Sequence, residues 1–262
     1  MTRIVRAELA RLVRRRTIIV AAAAAVAFAA LSALTVLSSA GENVVPSRQG
    51  GATLAEVTGT GGGTQAFAVG ASFAGFLVFV TFIALIASEF SAGTFRSLLL
   101  REPHRLRVIL GKLAGTLIVA AGVVALFEAT TFAMSLAVAP SQDISTSEWL
   151  TLASLADGVE DYLTVLAGVT GWAIFGTTLA VVFRSVPVAL GVGFAWAGPF
   201  ENIVVDSWDT GFKVFPGQVL GSMIRGGTVE LGMGRALATA ALYTAVAFIV
   251  ALFLVQRRDV TA

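Results

Sequence analysis

Long apolar stretches separated by short polar ones dominate the chain from Thr17 onward. Six of these stretches are long enough to cross a hydrocarbon core of ~30 Å as helices. No polar segment between them is long enough to fold around a core of its own. The pattern therefore predicts an all-α, polytopic membrane protein in which residues 1–262 form a single transmembrane domain. The predicted spans cover residues 17–39, 66–87, 113–138, 162–183, 188–205 and 236–255.

A different periodicity precedes the first span. Apolar side chains in residues 2–16 fall on one helical face and arginines on the other, which predicts an amphipathic helix at the membrane surface. The apolar face comprises Val5, Leu9, Leu12 and Val13. The basic start, the apolar run and the small residues before Gly41 also fit a secretory signal peptide. The apolar run is longer than the about 7–15 residues usual in such a peptide, which favours a retained anchor.

Composition supports a membrane protein and removes several kinds of chemistry. Hydrophobic residues make up 56% of the chain and charged residues 13%, against about 25% charged in soluble domains. The absence of cysteine excludes disulfides and thiolate metal sites. The single histidine, His104, lies in a polar segment, and Gly111-Lys112 is not followed by Ser or Thr as in a Walker A loop. We therefore expect no catalytic, metal or cofactor site in this chain.

Basic residues are distributed unevenly among the polar segments. Fourteen of the eighteen lie in the N-terminal segment, residues 89–112, the turn at Arg184 and the C-terminal tail. Because lysine and arginine accumulate on the cytoplasmic side, both termini and residues 89–112 are predicted to be cytoplasmic. The loops 41–64 and 140–161 then lie outside. The preference for arginine over lysine favours a bacterial source, and therefore a bacterial plasma (inner) membrane.

The charged segment 89–112 carries the most specific pattern in the chain. It contains in order Glu89, Gly93-Thr94, a run of leucines, Pro103-His104-Arg105 and Gly111-Lys112. This order resembles the cytoplasmic loop of the permease subunits of ABC-2 type ABC transporters. His104 stands where that family commonly has serine, and the distance from proline to arginine is one residue shorter. The tail from Arg257 also resembles the usual ending of these permeases.

The resemblance implies a permease that works as a dimer with a second copy or a paralogue. Two separate ATPase subunits would bind ATP and Mg²⁺, and export of a drug, antibiotic, lipid or glycan would be the default activity. A coupling helix around Glu89 to Leu99 would dock into a groove of the ATPase. There Glu89 would pair with a basic residue, and Phe95 with Leu98 would form an apolar plug. The candidate coupling residues are Glu89, Gly93, Thr94, Phe95, Leu98, Pro103 and Arg105.

Other partners follow from the same pattern. Membrane lipids are expected partners, and nucleic acid is not. The alternative for residues 89–112 is a positive-inside loop that contacts only lipid headgroups.

One acid, Glu128, falls clearly inside a predicted span. An uncompensated charge there costs about 2.5–3.5 kcal/mol on insertion scales, so a partner or a polar cavity is expected. Its carboxyl group either accepts a hydrogen bond from a hydroxyl such as that of Thr130 or Thr131, or faces a translocation path. An ATP-independent secondary transporter or channel would depend on Glu128. A non-transporting membrane assembly subunit is a further alternative.

The fifth predicted span is interrupted near its end by Gly198-Pro199 and Glu201, and the apolar piece FPGQVLGSMIRGG follows in the next loop. These features resemble the re-entrant elements of the same permease family, near the outer gate. Irregular backbone at that depth is tolerated where protein or water satisfies it. The candidate gate residues are Pro199, Glu201 and Pro216.

Overall fold

The computed structural model describes residues 1–40 and 52–257. The signal-peptide-like site at Gly41, the first part of the predicted loop 41–64 and the tail from Arg258 lie outside the described residues. The described part is almost wholly helical and contains no β-strand, although Gly227 and Gly232 form an isolated bridge. The predicted all-α class is confirmed.

Eleven α-helices make up most of the described residues. Short 3₁₀ turns cover Gly62–Thr64, Ala139–Gln142 and Asp209–Lys213. The α-helices are α1 (Thr2–Leu12), α2 (Arg15–Ser39), α3 (Leu54–Thr58), α4 (Gln65–Ser91), α5 (Thr94–Arg101), α6 (Arg105–Val138), α7 (Leu152–Phe183), α8 (Val186–Ala195), α9 (Glu201–Ser207), α10 (Pro216–Ile224) and α11 (Met233–Arg257).

Six helical segments are long and apolar enough to cross a membrane, which confirms the number and approximate places of the predicted spans. They are Arg15–Ser39, Gly62–Ser91, Arg105–Gln142, Leu152–Phe183, Val186–Ser207 and Met233–Arg257. The third and fourth begin earlier than hydropathy predicts, because helical hydrogen bonding continues through polar residues. Thr151 caps the start of α7 by accepting a hydrogen bond from the backbone N–H of Ser154 at 3.2 Å.

The bounds of two short helices differ from the predicted ones. The amphipathic helix ends at Leu12, and Arg14 is extended (φ −85°, ψ 141°) before α2 begins. The coupling helix predicted around Glu89 to Leu99 is divided, because α4 runs to Ser91 and α5 starts at Thr94. Between them Gly93 is left-handed (φ +68°), a conformation that favours glycine. Glu89 therefore belongs to the last turn of α4.

The fifth span is continuous through its proline. Residues Trp196–Phe200 form a π-helical turn that contains Pro199 and joins α8 to α9. Such a turn accommodates the missing N–H of proline, and the Asn202 side chain donates a hydrogen bond to the Gly198 carbonyl at 2.6 Å. The predicted interruption is thus a local change in helical hydrogen bonding.

The apolar piece of the following loop forms a buried helix. The α10 side chains of Val219, Leu220, Met223 and Ile224 are all buried. Helix α10 packs against α4, α7 and α11, and Ile224 and Leu220 lie against Gly168 and Gly171 of α7. A methyl group on Gly168 would come within 2.3 Å of Ile224. Small residues in α7 therefore allow α10 to enter the bundle.

Packing divides the spans into central and peripheral ones. Helix α4 packs most extensively on α7, and α2 packs on α6. In the most apolar stretch of α7, 56% of residues are buried, against 22% in α2 and in α11. The outward side chains of α2 and α11 are apolar, for example Val20, Leu242 and Ile249. A bundle with an apolar exterior of this kind fits a lipid environment.

Candidate functional site

A buried ionic cluster joins three helices at one end of the bundle. Lys112 of α6 donates to Glu8 of α1 (Nζ to Oε2, 2.6 Å) and to Glu89 of α4 (Nζ to Oε1, 2.7 Å). Arg11 of α1 also donates to Glu89 (Nη1 to Oε1, 2.6 Å) and pairs with Glu8. Lys112 is only 4% exposed, and both acids are buried. Two acids and two bases thus neutralise one another, with only Arg11 partly exposed, and we call them the ionic cluster.

The ionic cluster depends on close approach of α1 to α6. A Cβ atom on Gly111 would lie 2.8 Å from the Ile4 side chain, and one on Gly115 would lie 2.8 Å from the Glu8 Cβ atom. Glycine at both positions therefore lets α1 lie directly on the first turns of α6. Breaking a buried charge pair is strongly destabilising, because it leaves the other charge without compensation. The N-terminal helix is consequently part of the packed bundle.

Helix α5 lies at the same end, with one face packed and one face free of contact with the bundle. Phe95 is buried, with its ring 4.5 Å from the ring of Phe90, and Leu98 packs at the edge of the core. Leu100 is 83% exposed. Arg96, Ser97 and Arg101 are exposed beside it. The free face therefore combines one leucine with basic and hydroxyl groups.

The ends of α5 are held by local contacts. At its start, Gly93 is exposed, and Thr94 donates to the Glu89 carbonyl at 3.2 Å. At its end, Pro103 follows the last helical residue by two positions, as expected for a residue that cannot continue a helix. His104 then approaches Glu102 at 2.9 Å (Nδ1 to Oε1). This hydrogen bond and the nearby Arg107 hold the pKa of Glu102 below its ordinary value.

The basic segments predicted to share one side are gathered at this end. The backbone carbonyl of Arg184 accepts a hydrogen bond from Ser91 at 3.4 Å, and the Arg184 guanidinium lies 5.7 Å from the Phe90 ring centre. Arg105 donates to the carbonyls of Val255 and Gln256 near the end of α11, each at 3.5 Å. The N-terminal helix, α5, the Arg184 turn and the end of α11 therefore form one polar end of the bundle.

Glu128 lies in the other half of the molecule, beside a cavity of about 400 Å³. The cavity is lined by Glu128, Thr64, Phe132, Trp149 and Tyr162, among others. Thr130 and Thr131 donate instead to the carbonyls four residues before them in α6. The predicted hydrogen bond from either threonine to Glu128 is therefore wrong.

A second cavity of about 440 Å³ lies between α4, α9 and α10 and contains Glu201. Glu201 is 1% exposed, and neither of its carboxylate oxygens accepts a well-formed hydrogen bond from the part of the chain that the structure describes. The Trp196 side chain and the backbone N–H groups of Gly217 and Gln218, at the start of α10, lie close to its carboxylate. Pro216 provides the first residue of that helix, where its missing N–H costs nothing.

The candidate gate residues are only partly brought together. Glu201 faces the second cavity next to the first turn of α10, which starts at Pro216. Pro199 is exposed in the π-helical turn. Arg225 also lines the cavity, and burial lowers its pKa while the nearby Glu230 opposes that change.

Sequence reasoning missed the ionic cluster, although one signal pointed to it. Glu8 is one helical turn from both Val5 and Leu12, so it lies on the apolar face of α1. A charged residue on an apolar face needs a buried partner. The structure supplies Lys112, which is distant in sequence and was interpreted only as the last residue of the charged segment 89–112. Glu89 was expected to face a partner protein, and its carboxylate lies inside the ionic cluster.

The described residues contain no group of three or more His, Cys, Asp or Glu side chains that could hold a metal ion. What the arrangement offers is two kinds of charged site: a neutralised cluster at one end and acids beside cavities in the other half.

The fold and these sites define a helical, multi-pass membrane protein. The chain belongs to the family described as "Protein of unknown function (DUF2705)", whose model matches residues 47–261. No curated protein matches the chain.

Proposed function

We propose that this chain is the permease subunit of an ATP-driven ABC transporter of the ABC-2 type. It works as a dimer with a second copy or a paralogue, above two ATPase subunits that bind ATP and Mg²⁺. The complex lies in a bacterial plasma membrane with both termini cytoplasmic. Its activity is export, with a drug, antibiotic, lipid or glycan as the transported class.

The observation that carries the proposal is the geometry of α5. A short helix stands between two spans, set off by Gly93 before it and Pro103 after it. One of its faces packs on the bundle through Phe95, and the other presents the exposed Leu100. An exposed leucine rimmed by arginines suits a groove that has an apolar floor and acidic edges. The motif resemblance of residues 89–112 supports the same role.

The contacts of α5 provide a route from such a docking surface to the spans. Phe95 packs on Phe90 of α4, and Thr94 is hydrogen-bonded to the backbone at Glu89. Glu89 in turn is bonded to Arg11 and Lys112. A displacement of α5 would therefore reach α4 directly and α1 and α6 through the ionic cluster. In this proposal Glu89 and Phe95 transmit force, and the ATPase contacts the exposed residues of α5.

The opposite half would contain the transport path and its outer gate. Pro199, Glu201 and Pro216 lie where the π-helical turn, α9 and α10 meet. π-Helical turns inside α-helices occur frequently at functional sites, which suits a gate. The concentration of basic residues at the α5 end supports a cytoplasmic location for that end.

The test is co-purification from native membranes with a matched pair of variants. Leu100→Asp places a charge on the free face of α5, and Leu152→Asp places one on an equally exposed leucine (87%) at the start of α7. We expect a subunit with Walker A and signature motifs to co-purify with the unmodified chain. Its amount should fall at least tenfold with Leu100→Asp and stay unchanged with Leu152→Asp. Equal recovery with both variants, or no such ATPase with the unmodified chain, would contradict the proposal.

A second candidate function rests on Glu128. Its position beside a cavity, without the threonine hydrogen bonds expected of a structural acid, suits an ATP-independent secondary transporter or channel. Transport by liposomes that contain this chain alone, lost with Glu128→Gln, would favour that function. ATPase binding at α5 without any transport would favour an assembly subunit.

A further inference from the structure

The cavity beside Glu201 has the features of a binding site for a positively charged organic molecule. Its walls include the aromatic rings of Phe73, Phe76, Trp172 and Phe212. Its volume of about 440 Å³ falls within the range of about 300–1,000 Å³ usual for small-molecule sites. Aromatic faces attract cations, and they do so most strongly where water is excluded.

Glu201 supplies an acid that has no ion-pair partner among the described residues; the only donors close to it are the Trp196 side chain and the backbone N–H groups of Gly217 and Gln218. Both of its oxygens are buried without a well-formed hydrogen bond, and the Trp172 indole N–H is also buried without an acceptor among the described residues. The side chain at position 217 is a hydrogen atom, and a Cβ there would lie 2.4 Å from Glu201 Oε2. Glycine thus leaves room for the carboxylate. A buried carboxylate without a cationic partner is costly, and a bound cation would lower that cost.

The remaining charges of the cavity also favour a cation. Asp206 adds a second acid and Arg225 one base, so acids exceed bases by one. Arg225 lies close to Glu230, which offsets its charge. A metal ion such as Ca²⁺ would need about six to eight oxygen ligands. The described residues contain no group of three His, Cys, Asp or Glu side chains that could hold a metal ion, and the aromatic walls suit an organic cation better.

We propose that this cavity binds an organic ammonium group, with the Glu201 carboxylate as its counter-ion and the aromatic rings as its walls. The ammonium group belongs either to a lipid headgroup or to a free amine with an apolar body. Binding of this kind requires no ATPase, so the test of this proposal is independent of the test of the coupling function.

The test uses three small molecules of one shape and different charge: phenethylammonium, 2-phenylethanol and phenylacetate. The full chain is placed in nanodiscs of phosphatidylglycerol, and binding is followed as a saturable rise in the thermal unfolding midpoint and a change in tryptophan fluorescence. We expect saturable binding of phenethylammonium alone. Equal binding of the alcohol, or no saturable binding of the ammonium compound, would overturn the proposal.

Three variants locate the site. Glu201→Gln keeps the shape of the side chain and should weaken phenethylammonium binding at least tenfold. Phe73→Leu removes an aromatic wall at a half-exposed position and should weaken it about threefold. Glu148→Gln removes an exposed acid elsewhere and should leave binding unchanged. If Glu201→Gln folds and binds as tightly as the unmodified chain, Glu201 only caps α10 and the proposal is wrong. If Glu201→Gln does not fold, the Phe73→Leu variant decides instead, and unchanged binding by that variant would show that the proposal is wrong.

The lipid environment distinguishes the two sources of the ammonium group. Nanodiscs that also contain phosphatidylethanolamine should show weaker apparent binding of phenethylammonium if a lipid headgroup occupies the cavity. Equal binding in both kinds of nanodisc assigns the site to a free amine.

Discussion

Buried acids have different surroundings at the two ends of the bundle. At the α5 end, Glu8 and Glu89 each accept hydrogen bonds from Lys112 and Arg11 inside the ionic cluster. In the other half, Glu201 lies buried with no well-formed hydrogen bond among the described residues and faces a cavity. A neutralised cluster holds helices together, whereas a buried acid without an ion-pair partner beside a cavity can attract a cationic ligand. Whether a buried acid has an ion-pair partner thus distinguishes an acid that holds helices together from one that can bind a ligand.

The neighbouring glycines show the same contrast. Gly115 of α6 brings the backbone of α1 close enough for Glu8 to reach Lys112. Gly217 of α10 leaves space next to Glu201, and that space adjoins the cavity. One glycine allows two protein segments to meet, and the other makes room for a side chain beside open volume. Three substitutions test this comparison, in order of decreasing expected effect.

The largest effect is expected for Lys112→Met. This change leaves Glu8 and Glu89 buried with one base between them, and breaking a buried pair costs about 3–5 kcal/mol. The matched control is Lys213→Met, which changes the chain's other lysine at an exposed position. We expect the thermal unfolding midpoint in dodecyl maltoside to fall sharply for the first variant and to stay constant for the second. Equal midpoints for the two variants would show that the ionic cluster does not stabilise the bundle.

A smaller effect is expected for Gly115→Ala. The new Cβ would lie 2.8 Å from the Glu8 Cβ atom, and overpacking of this kind costs about 1–3 kcal/mol. The control is Gly122→Ala in the same helix, where a Cβ would meet nothing within 4 Å. A single cysteine in place of the buried Leu12 reports docking of α1, since the chain has no other cysteine. It should react with a maleimide faster in the Gly115→Ala background than in the Gly122→Ala background. Equal rates would show that α1 docks without this close approach.

The smallest effect, and one of opposite sign, is expected for Glu201→Gln. Removing a buried charge that has no ion-pair partner among the described residues relieves a desolvation cost, so the free energy of unfolding should rise by about 1 kcal/mol. The measurement is the same unfolding midpoint in detergent without added amine. Glu89→Gln is the matched change inside the ionic cluster and should lower the midpoint. If both variants lose stability, the buried acids at the two ends of the bundle do not differ in their effect on stability.

Much of the fold follows from the sequence because span length and hydropathy are local properties. Six apolar stretches of sufficient length predicted six helices, and the structure contains them. The breaks at Gly93 and Pro103 also mark the limits of α5, since both residues act through their own backbone. Helix ends were less predictable. Residues 105–112 and 152–161 mix charged and apolar side chains and form the first turns of α6 and α7, and hydropathy has no means of detecting these turns.

The candidate sites depended far more on tertiary contacts. Glu128 and Glu201 could be selected from sequence because a charge within an apolar run is conspicuous. The sequence could not show whether either acid has a partner, because hydrogen bonds and ion pairs join residues that are far apart in the chain. Glu8 and Lys112 are 104 positions apart, and neither identity predicts the other. The piece that forms the buried helix α10 was likewise predicted as a re-entrant element within a loop, because its apolar side chains are too few to form a span.

By itself, the sequence determined an all-helical membrane protein with six spans, a basic end and a short helix between the second and third spans. The tertiary structure alone decided that Glu89 is bound inside the chain, that α1 belongs to the bundle and that Glu201, beside a cavity, has no ion-pair partner among the described residues. The physical reason is one of range. Hydropathy and backbone breaks act within a few residues, whereas the fate of a buried charge depends on which distant side chain the fold brings to it.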